Sequence, residues 1–160
     1  MRWIKAGAVG ALGSLIIFAA MVVGVKVTGA APFNLPPSAA FLEALGLNVG
    51  PLAVIAHFAY GIVWAWILLA LFGRGVTVAN GLGVAGFQWL LLMLVYAPVI
   101  GWGVFGLGGP AHTLPVTDPL YLGSSAKFIV MTLVLHAVYG ALNGWLIPRW
   151  AEGRTLQQAT

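Results

Sequence analysis

The sequence predicts an all-α fold, an integral membrane four-helix bundle that forms a single domain over residues 1–160. Its 160 residues are 61% hydrophobic and only 6% charged, whereas a soluble domain carries about 25% charged residues. So few charges cannot cover a surface that faces water. In addition, four apolar stretches reach the roughly 20 residues that a helix needs to cross a bilayer. None of these stretches contains an acidic residue, so each is expected to span the membrane.

The four predicted spans follow directly from the hydropathy pattern. They are Ile4–Val25, Pro51–Phe72, Val78–Phe105 and Ser125–Ile147. The first follows Arg2 and Lys5, as a signal peptide would, but its apolar run is longer than a usual signal-peptide core. We therefore expect a retained helix. Pro98 lies inside the third span and is expected to kink it, because proline removes one backbone hydrogen bond.

Two long loops are predicted on one side of the bundle. In the first, from Lys26 to Gly50, the segment Ser38–Leu45 has an apolar helical face and is expected to lie flat at the membrane interface. The second, from Gly106 to Ser124, contains a histidine and an aspartate, which form only a weak metal-site signal because two ligands in a loop are too few. Aromatic rings near span ends are expected at the headgroup level; they are Trp3, Trp102, Tyr121 and Trp150.

Basic residues predict the orientation of the spans. Lys26 and Lys127 fall on the side of the long loops, and the larger group falls on the other side: Arg2, Lys5, Arg74, Arg149 and Arg154. The positive-inside rule then places both termini in the cytoplasm, with the protein in the inner (plasma) membrane. The formal net charge of +4 is read as this topology signal, so no nucleic acid partner is expected. The chain has no cysteine, which excludes disulfides and thiolate metal sites.

One short pattern occurs twice, once in each half of the chain. His57-Phe-Ala-Tyr60-Gly61 reappears as His136-Ala-Val-Tyr139-Gly140, and a tryptophan follows each copy at the same distance. The pattern predicts two tandem two-span repeats, about residues 1–79 and 80–160. Such parallel repeats are related by an axis along the membrane normal. The two histidines are therefore expected to face each other at similar depth.

The first functional hypothesis is that the repeated faces only pack helices together. Gly61 with Ala65, and Gly140 with Gly144, place small residues four apart, which lets helix backbones approach closely. The protein would then be a membrane component without evident catalytic chemistry, in contact with the lipid bilayer and with a membrane-protein partner or a second copy of itself. The candidate hydrogen-bond partners for the histidines and tyrosines are Ser14, Gln88, Tyr96 and Asn143.

The second hypothesis is a b-type haem site in an electron-transfer subunit. A haem iron can be held by two imidazoles from opposite sides, which His57 and His136 would supply. The glycine one turn from each histidine would leave room for the porphyrin, and the tyrosines would donate hydrogen bonds. The candidate haem-binding residues are therefore His57, Tyr60, Gly61, His136, Tyr139 and Gly140, with no metal site other than the haem iron.

The third hypothesis is a small solute or proton permease. Ionisable residues inside a membrane are functional candidates by default, and histidine can relay protons near neutral pH. The predicted spans contain no Asp or Glu that would couple a proton gradient. There is no nucleophile motif, no paired carboxylates and no phosphate-binding loop, so catalysis has no candidate residues.

The layout resembles the YagU family of small bacterial inner-membrane proteins. The resemblance is carried by Leu35-Pro36-Pro37 in the first long loop, by the span that contains His57, and by the Gly106–Pro110 turn after the third span. It implies four spans with histidines in the later ones. That family has no settled activity, so the resemblance implies no catalytic residues.

Overall fold

The structure is a computed structural model that describes residues 1–47 and 49–151. The topology signal predicted at Arg154 lies outside the described residues. Within them the chain is helical, and the only β pairing is an isolated antiparallel bridge between Phe33 and Leu122. The predicted all-α fold is confirmed at this level.

Seven α-helices follow one another along the described residues. They are α1 (Arg2–Val22), α2 (Pro37–Ala44), α3 (Gly50–Phe72), α4 (Val78–Leu91), α5 (Ala97–Ile100), α6 (Gly109–Thr113) and α7 (Ser125–Leu146). Short π-helical turns extend α1, join α4 to α5, and extend α7; they are Val23–Val27, Leu92–Tyr96 and Ile147–Ala151.

Four of the resulting helices are long and apolar enough to cross a membrane. They cover Arg2–Val27, Gly50–Gly75, Val78–Ile100 and Ser125–Ala151. Each corresponds to one predicted span. The third ends at Ile100 rather than at Phe105, because Gly101 adopts a left-handed conformation with φ of 92° and so ends the helix.

Pro98 does not break the third long helix. The backbone widens into the π-helical turn Leu92–Tyr96 immediately before it, and the Ala97 N–H bonds to the Leu92 carbonyl five residues back. A π-helical turn is a known way to relieve the clash between a proline ring and the preceding turn. The helix therefore continues through the proline as α5.

Close contacts between small residues join α1 to α3. A Cβ atom added to Gly10 would lie 2.7 Å from the Gly61 carbonyl oxygen and 2.7 Å from Ala65 Cβ. Gly61 in turn lies against the Ser14 hydroxyl and the Gly10 carbonyl. The pair predicted from spacing, Gly61 and Ala65, is therefore the face of α3 that contacts α1.

The contact between α4 and α7 is built in the same way. A Cβ atom on Gly140 would lie 2.5 Å from the Gly81 carbonyl oxygen and 2.6 Å from Ala85 Cβ. One turn further, a Cβ atom on Gly144 would lie 2.5 Å from the Thr77 carbonyl oxygen. Backbone thus contacts backbone along this crossing, as expected for small residues spaced four apart.

The other two contacts that close the bundle use larger side chains. Between α1 and α7, Gly13 lies against the Tyr139 ring. Between α3 and α4 the contact is aromatic: the Tyr60 and Tyr96 rings are 6.3 Å apart, and the Trp64 and Phe87 rings are 5.9 Å apart. The helices therefore follow the order α3, α1, α7, α4 around the bundle, and the α3–α4 side is held by side chains instead of backbone.

The two halves do not pack in the same register. Gly61 faces Gly10 of α1, whereas Gly140 faces Gly81 of α4. The alignment that superposes His57 on His136 would instead equate Gly10 with Trp89. Trp89 lies about two helical turns from Gly81, which is roughly 12 Å along a helix. The tandem repeat stays a prediction, and the packing around its two copies is asymmetric.

The long loops form a folded cap at one end of the bundle, here called the loop end. Trp102 is 0% exposed, its indole Nε1–H donates to the Leu120 carbonyl at 2.8 Å, and its ring contacts Phe33 and Phe128. The depth predicted for Trp102, at the headgroup level, stays a prediction, but the ring contacts protein and not lipid. Its ring is buried because the loops fold over it.

Replacing Trp102 with Phe is expected to lower the free energy of unfolding by about 2 kcal/mol, because the Leu120 carbonyl loses its partner and the buried ring becomes smaller. Thermal unfolding in mild detergent measures the effect. Trp150 is 50% exposed, so Trp150→Phe is the matched control and should change stability by less than about 0.5 kcal/mol. Equal melting of the two variants would contradict the structural role given to Trp102.

Candidate functional site

A partly open cavity of about 310 Å³ lies between the helices and is lined by residues of α1, α2, α3, α7 and the α4–α5 segment. Five of the six predicted site residues line it; they are His57, Tyr60, Gly61, His136 and Tyr139. The sixth, Gly140, is not among the lining residues and packs against α4 instead. The structure therefore brings both copies of the repeated pattern to one site.

The cavity is closed at the end opposite the loop end, here called the terminal end. A buried apolar cluster fills that end of the bundle; it comprises Ala6, Val9, Ala65, Leu68, Leu69, Val76 and Ile147. None of the residues described as lining the cavity belongs to this cluster. The cavity thus reaches from the middle of the bundle toward the loop end only.

Helix α2 covers the cavity at the loop end. Its Phe41 and Leu42 side chains line the cavity, and the Phe41 ring packs edge-on against Tyr96 with centroids 5.1 Å apart. Ala40 is fully buried against the bundle. The apolar face of α2 was predicted to lie at the membrane interface, but most of it turns inward because the cavity offers an apolar surface. For this reason α2 was not predicted as a part of the site.

His57 is held by the neighbouring helix α1. Its Nε2 lies 3.0 Å from the Ser14 carbonyl oxygen, and its ring contacts Phe18 and Phe58, each with centroids 5.7 Å apart. A carbonyl oxygen only accepts hydrogen bonds, so Nε2 carries the imidazole hydrogen. This contact matches the packing hypothesis, although the partner is the backbone of Ser14 and not its hydroxyl.

His136 bonds to its own helix. Its Nδ1 lies 2.7 Å from the Thr132 carbonyl oxygen one turn earlier, so Nδ1 carries the hydrogen. The two histidines therefore use different nitrogens and different kinds of partner, although they occupy equivalent positions in the repeated pattern. The symmetric arrangement expected from the repeat does not extend to these hydrogen bonds.

Tyr139 connects the two copies of the repeated pattern. Its hydroxyl donates to the Gly61 carbonyl of α3, and the Asn143 amide Nδ2 donates to the Tyr139 carbonyl at 2.9 Å. Within the described residues, the Tyr60 hydroxyl shows no hydrogen bond to another helix. Its ring packs against the rings of Trp64 and Tyr96. The tyrosines thus fix the bundle around the cavity in two different ways.

Gln88 carries an unsatisfied hydrogen-bond acceptor in the site. Its side chain is 1% exposed, it lines the cavity, and its Oε1 has no hydrogen-bond partner within the described residues. An unpaired buried polar oxygen costs about 1–3 kcal/mol. Gln88 was predicted as a hydrogen-bond partner for the histidines or tyrosines. Within the described residues, no hydrogen bond joins those side chains to Gln88 Oε1. The sequence feature that pointed to Gln88 was a glutamine within an apolar helix.

The haem hypothesis stays a prediction, and the contacts around the glycines do not favour it. The space beside Gly61 and Gly140 that would admit a porphyrin is filled by α1 and α4. In addition, Nε2 of His57 is already bonded to the Ser14 carbonyl. The described residues contain no cluster of three or more His, Cys, Asp or Glu that could hold a metal ion.

His112 and Asp118 hold the loops rather than a metal. The two His112 nitrogens lie 2.6 Å from the Leu122 carbonyl oxygen and 3.0 Å from the Gly106 carbonyl oxygen. The Asp118 carboxylate accepts the Leu120 N–H at 2.8 Å. Each side chain therefore binds backbone groups of its own loop.

No protein-family model, no curated protein and no solved structure matches the chain. The resemblance to the YagU family stays a prediction, and the function is inferred from the geometry of the cavity.

Proposed function

We propose that this chain is a non-catalytic, polytopic membrane protein whose central cavity binds one small, mainly apolar molecule. The observation that carries the proposal is the cavity of about 310 Å³, since ligand sites typically enclose roughly 300–1,000 Å³. The helices beside the cavity contact each other backbone to backbone, in the pairs α1–α3 and α4–α7. The cavity therefore does not reflect loose packing of the whole bundle. Most of the surface that lines the cavity is apolar, which suits a mainly apolar guest.

The bilayer location is part of the proposal. Large apolar side chains on all four long helices are exposed in the isolated chain, among them Leu15, Ile55, Leu71, Leu94 and Val130. Lipid would cover them. The basic residues at the terminal end support an orientation with both termini in the cytoplasm and the loop end, with its helical cover, on the outer side of the plasma membrane.

The geometry favours ligand binding over the packing and permease hypotheses. The glycine faces that would join a partner protein already contact helices of this same chain, so an assembly or homo-oligomer would have to use other surfaces. A permease needs a path to both faces, and the terminal end is filled by the buried apolar cluster. Ligand binding needs only the one-ended cavity.

Photolabelling tests the proposal directly. The protein, reconstituted in lipid nanodiscs, is irradiated with a diazirine-bearing alkylbenzene, and the labelled residues are mapped by mass spectrometry. We expect saturable labelling at the cavity, within residues 37–42, 56–61, 88–96 and 132–139. Unlabelled alkylbenzene in excess should remove that labelling.

Labelling of outward-facing residues gives the internal control. Ile55 is next to the cavity-lining Ala56 but faces outward, and its labelling should rise linearly with probe concentration without competition. If saturable labelling is lacking in these four segments and in residues 14–21 of α1, which also line the cavity, the proposed function is wrong.

A further inference from the structure

We propose that the molecule bound in the cavity carries a neutral hydrogen-bond donor, a hydroxyl group on an otherwise apolar body, and that Gln88 accepts its hydrogen. This inference rests on the proposed function and specifies its ligand class. It is carried by Gln88, which lines the cavity and whose buried side-chain carbonyl oxygen has no hydrogen-bond partner within the described residues. A bound hydroxyl would satisfy that oxygen and remove the cost of leaving it unpaired.

Four polar donors of the cavity wall are engaged with protein carbonyls, while the hydroxyls of Ser14, Ser38, Tyr60 and Tyr96 also line the wall. The Tyr139 hydroxyl donates to Gly61, and the Thr132 hydroxyl donates to the Phe128 carbonyl. The imidazole hydrogens of His57 and His136 are directed to the carbonyls of Ser14 and Thr132. These four groups therefore have no hydrogen to offer a ligand in this arrangement.

The same wall also carries side-chain hydrogen-bond acceptors. A neutral imidazole carries one hydrogen and one lone pair, so His57 keeps an acceptor at Nδ1 and His136 keeps one at Nε2. Gln88 Oε1 differs from these acceptors because it is buried and has no partner within the described residues. An amide oxygen only accepts hydrogen bonds, so the group that satisfies it must be a donor.

The charge of the wall selects a hydroxyl over an ammonium group. No Asp or Glu is among the residues that line the cavity, and a buried cation without a carboxylate partner is costly. The remaining lining is mainly aliphatic and aromatic. An alkylphenol combines the neutral donor with the apolar body and is therefore a suitable probe.

Competition between two matched compounds tests the inference. 4-Hexylphenol and its methyl ether differ only in the donor, and each is used to displace the alkylbenzene photolabel from the wild-type cavity. We expect the phenol to compete at a roughly tenfold lower concentration, since a site built to bond a hydroxyl discriminates against an analogue that lacks the hydrogen. Free concentrations are corrected for lipid partition with protein-free nanodiscs.

Two variants assign the effect to Gln88. In Gln88→Met, which keeps the volume but removes the acceptor, the tenfold preference should fall to less than about twofold. Thr28→Val removes a hydroxyl that bonds to the Val23 and Gly24 carbonyls away from the cavity, so it should keep the preference. Both variants are first checked for saturable alkylbenzene labelling, which confirms that the cavity is intact.

The outcomes separate the two proposals. Equal competition by phenol and ether in the wild-type protein, with saturable labelling present, would overturn the inference and leave the proposed function standing. Retention of the preference in Gln88→Met would also overturn it. A lack of saturable labelling by the alkylbenzene itself would instead contradict the proposed function.

Discussion

Gly140→Leu is expected to destabilise the bundle by at least about 3 kcal/mol, seen as a fall of roughly 10 °C in the melting temperature in mild detergent. Already the first side-chain carbon would lie 2.5 Å from the Gly81 carbonyl oxygen and 2.6 Å from Ala85 Cβ. The carbonyl belongs to the backbone of α4 and cannot rotate away. The α4 and α7 helices would therefore have to separate along their whole crossing.

Gly83→Leu is the matched control for this prediction. Gly83 lies on α4, close to Gly81 in sequence, and a Cβ atom there would meet nothing within 4 Å. Leucine also favours a helix over glycine by roughly 0.5–1 kcal/mol, so this variant should melt at or slightly above the wild-type temperature. Gly61 is a weaker test, because the nearest atom to its added carbon is the Ser14 hydroxyl, which can rotate. If Gly140→Leu melts like Gly83→Leu, the proposed backbone contact does not exist.

The long helices and the small-residue faces were predictable because they depend on local pattern. Four stretches without acidic residues correspond to four long helices. The spacing of Gly140 and Gly144 identified the face of α7 that contacts another helix. Both patterns are properties of a single helix, because hydropathy and a four-residue spacing do not depend on which helix packs against it.

The partner of each face was not predictable from the same signals. The spacing of Gly61 and Ala65 says that a helix can approach, but not that Gly10 lies opposite. The repeated pattern suggested equal registers in the two halves. The observed registers differ because the α4 face offers Gly81 and Ala85, whereas α1 offers Gly10 and Ser14. Register follows the small residues that are present on the first helix of each pair.

The cavity was not predictable for a related reason. It exists where α3 and α4 meet through aromatic rings while the pairs α1–α3 and α4–α7 meet through small residues. Its cover, α2, was predicted as a helix. The position of that helix depends on the contact of Phe41 with Tyr96, which is distant in the sequence. The histidines, the tyrosines and Gln88 were visible in the sequence, because polar groups in apolar helices stand out individually.

Ala56→Phe is expected to abolish ligand binding while leaving the fold intact. Ala56 lines the cavity from α3, so a phenyl ring at this position would occupy the space that we assign to the ligand. Saturable labelling by the alkylbenzene should fall at least tenfold, because a loss of only about 1.4 kcal/mol in binding free energy lowers affinity tenfold and here the site itself is filled. The melting temperature should stay level or rise, since filling an empty apolar cavity removes its cost.

Ala59→Phe distinguishes filling of the cavity from a general effect of a new ring on α3. Ala59 lies on the same helix, but it is exposed and is not among the cavity-lining residues. Its phenylalanine variant should therefore retain labelling within about twofold of wild type. If both variants lose labelling, the probe senses the helix surface and not the cavity. If Ala56→Phe retains labelling and still melts like the wild type, the probe binds elsewhere, because a folded bundle cannot hold the ring and the ligand in the same space.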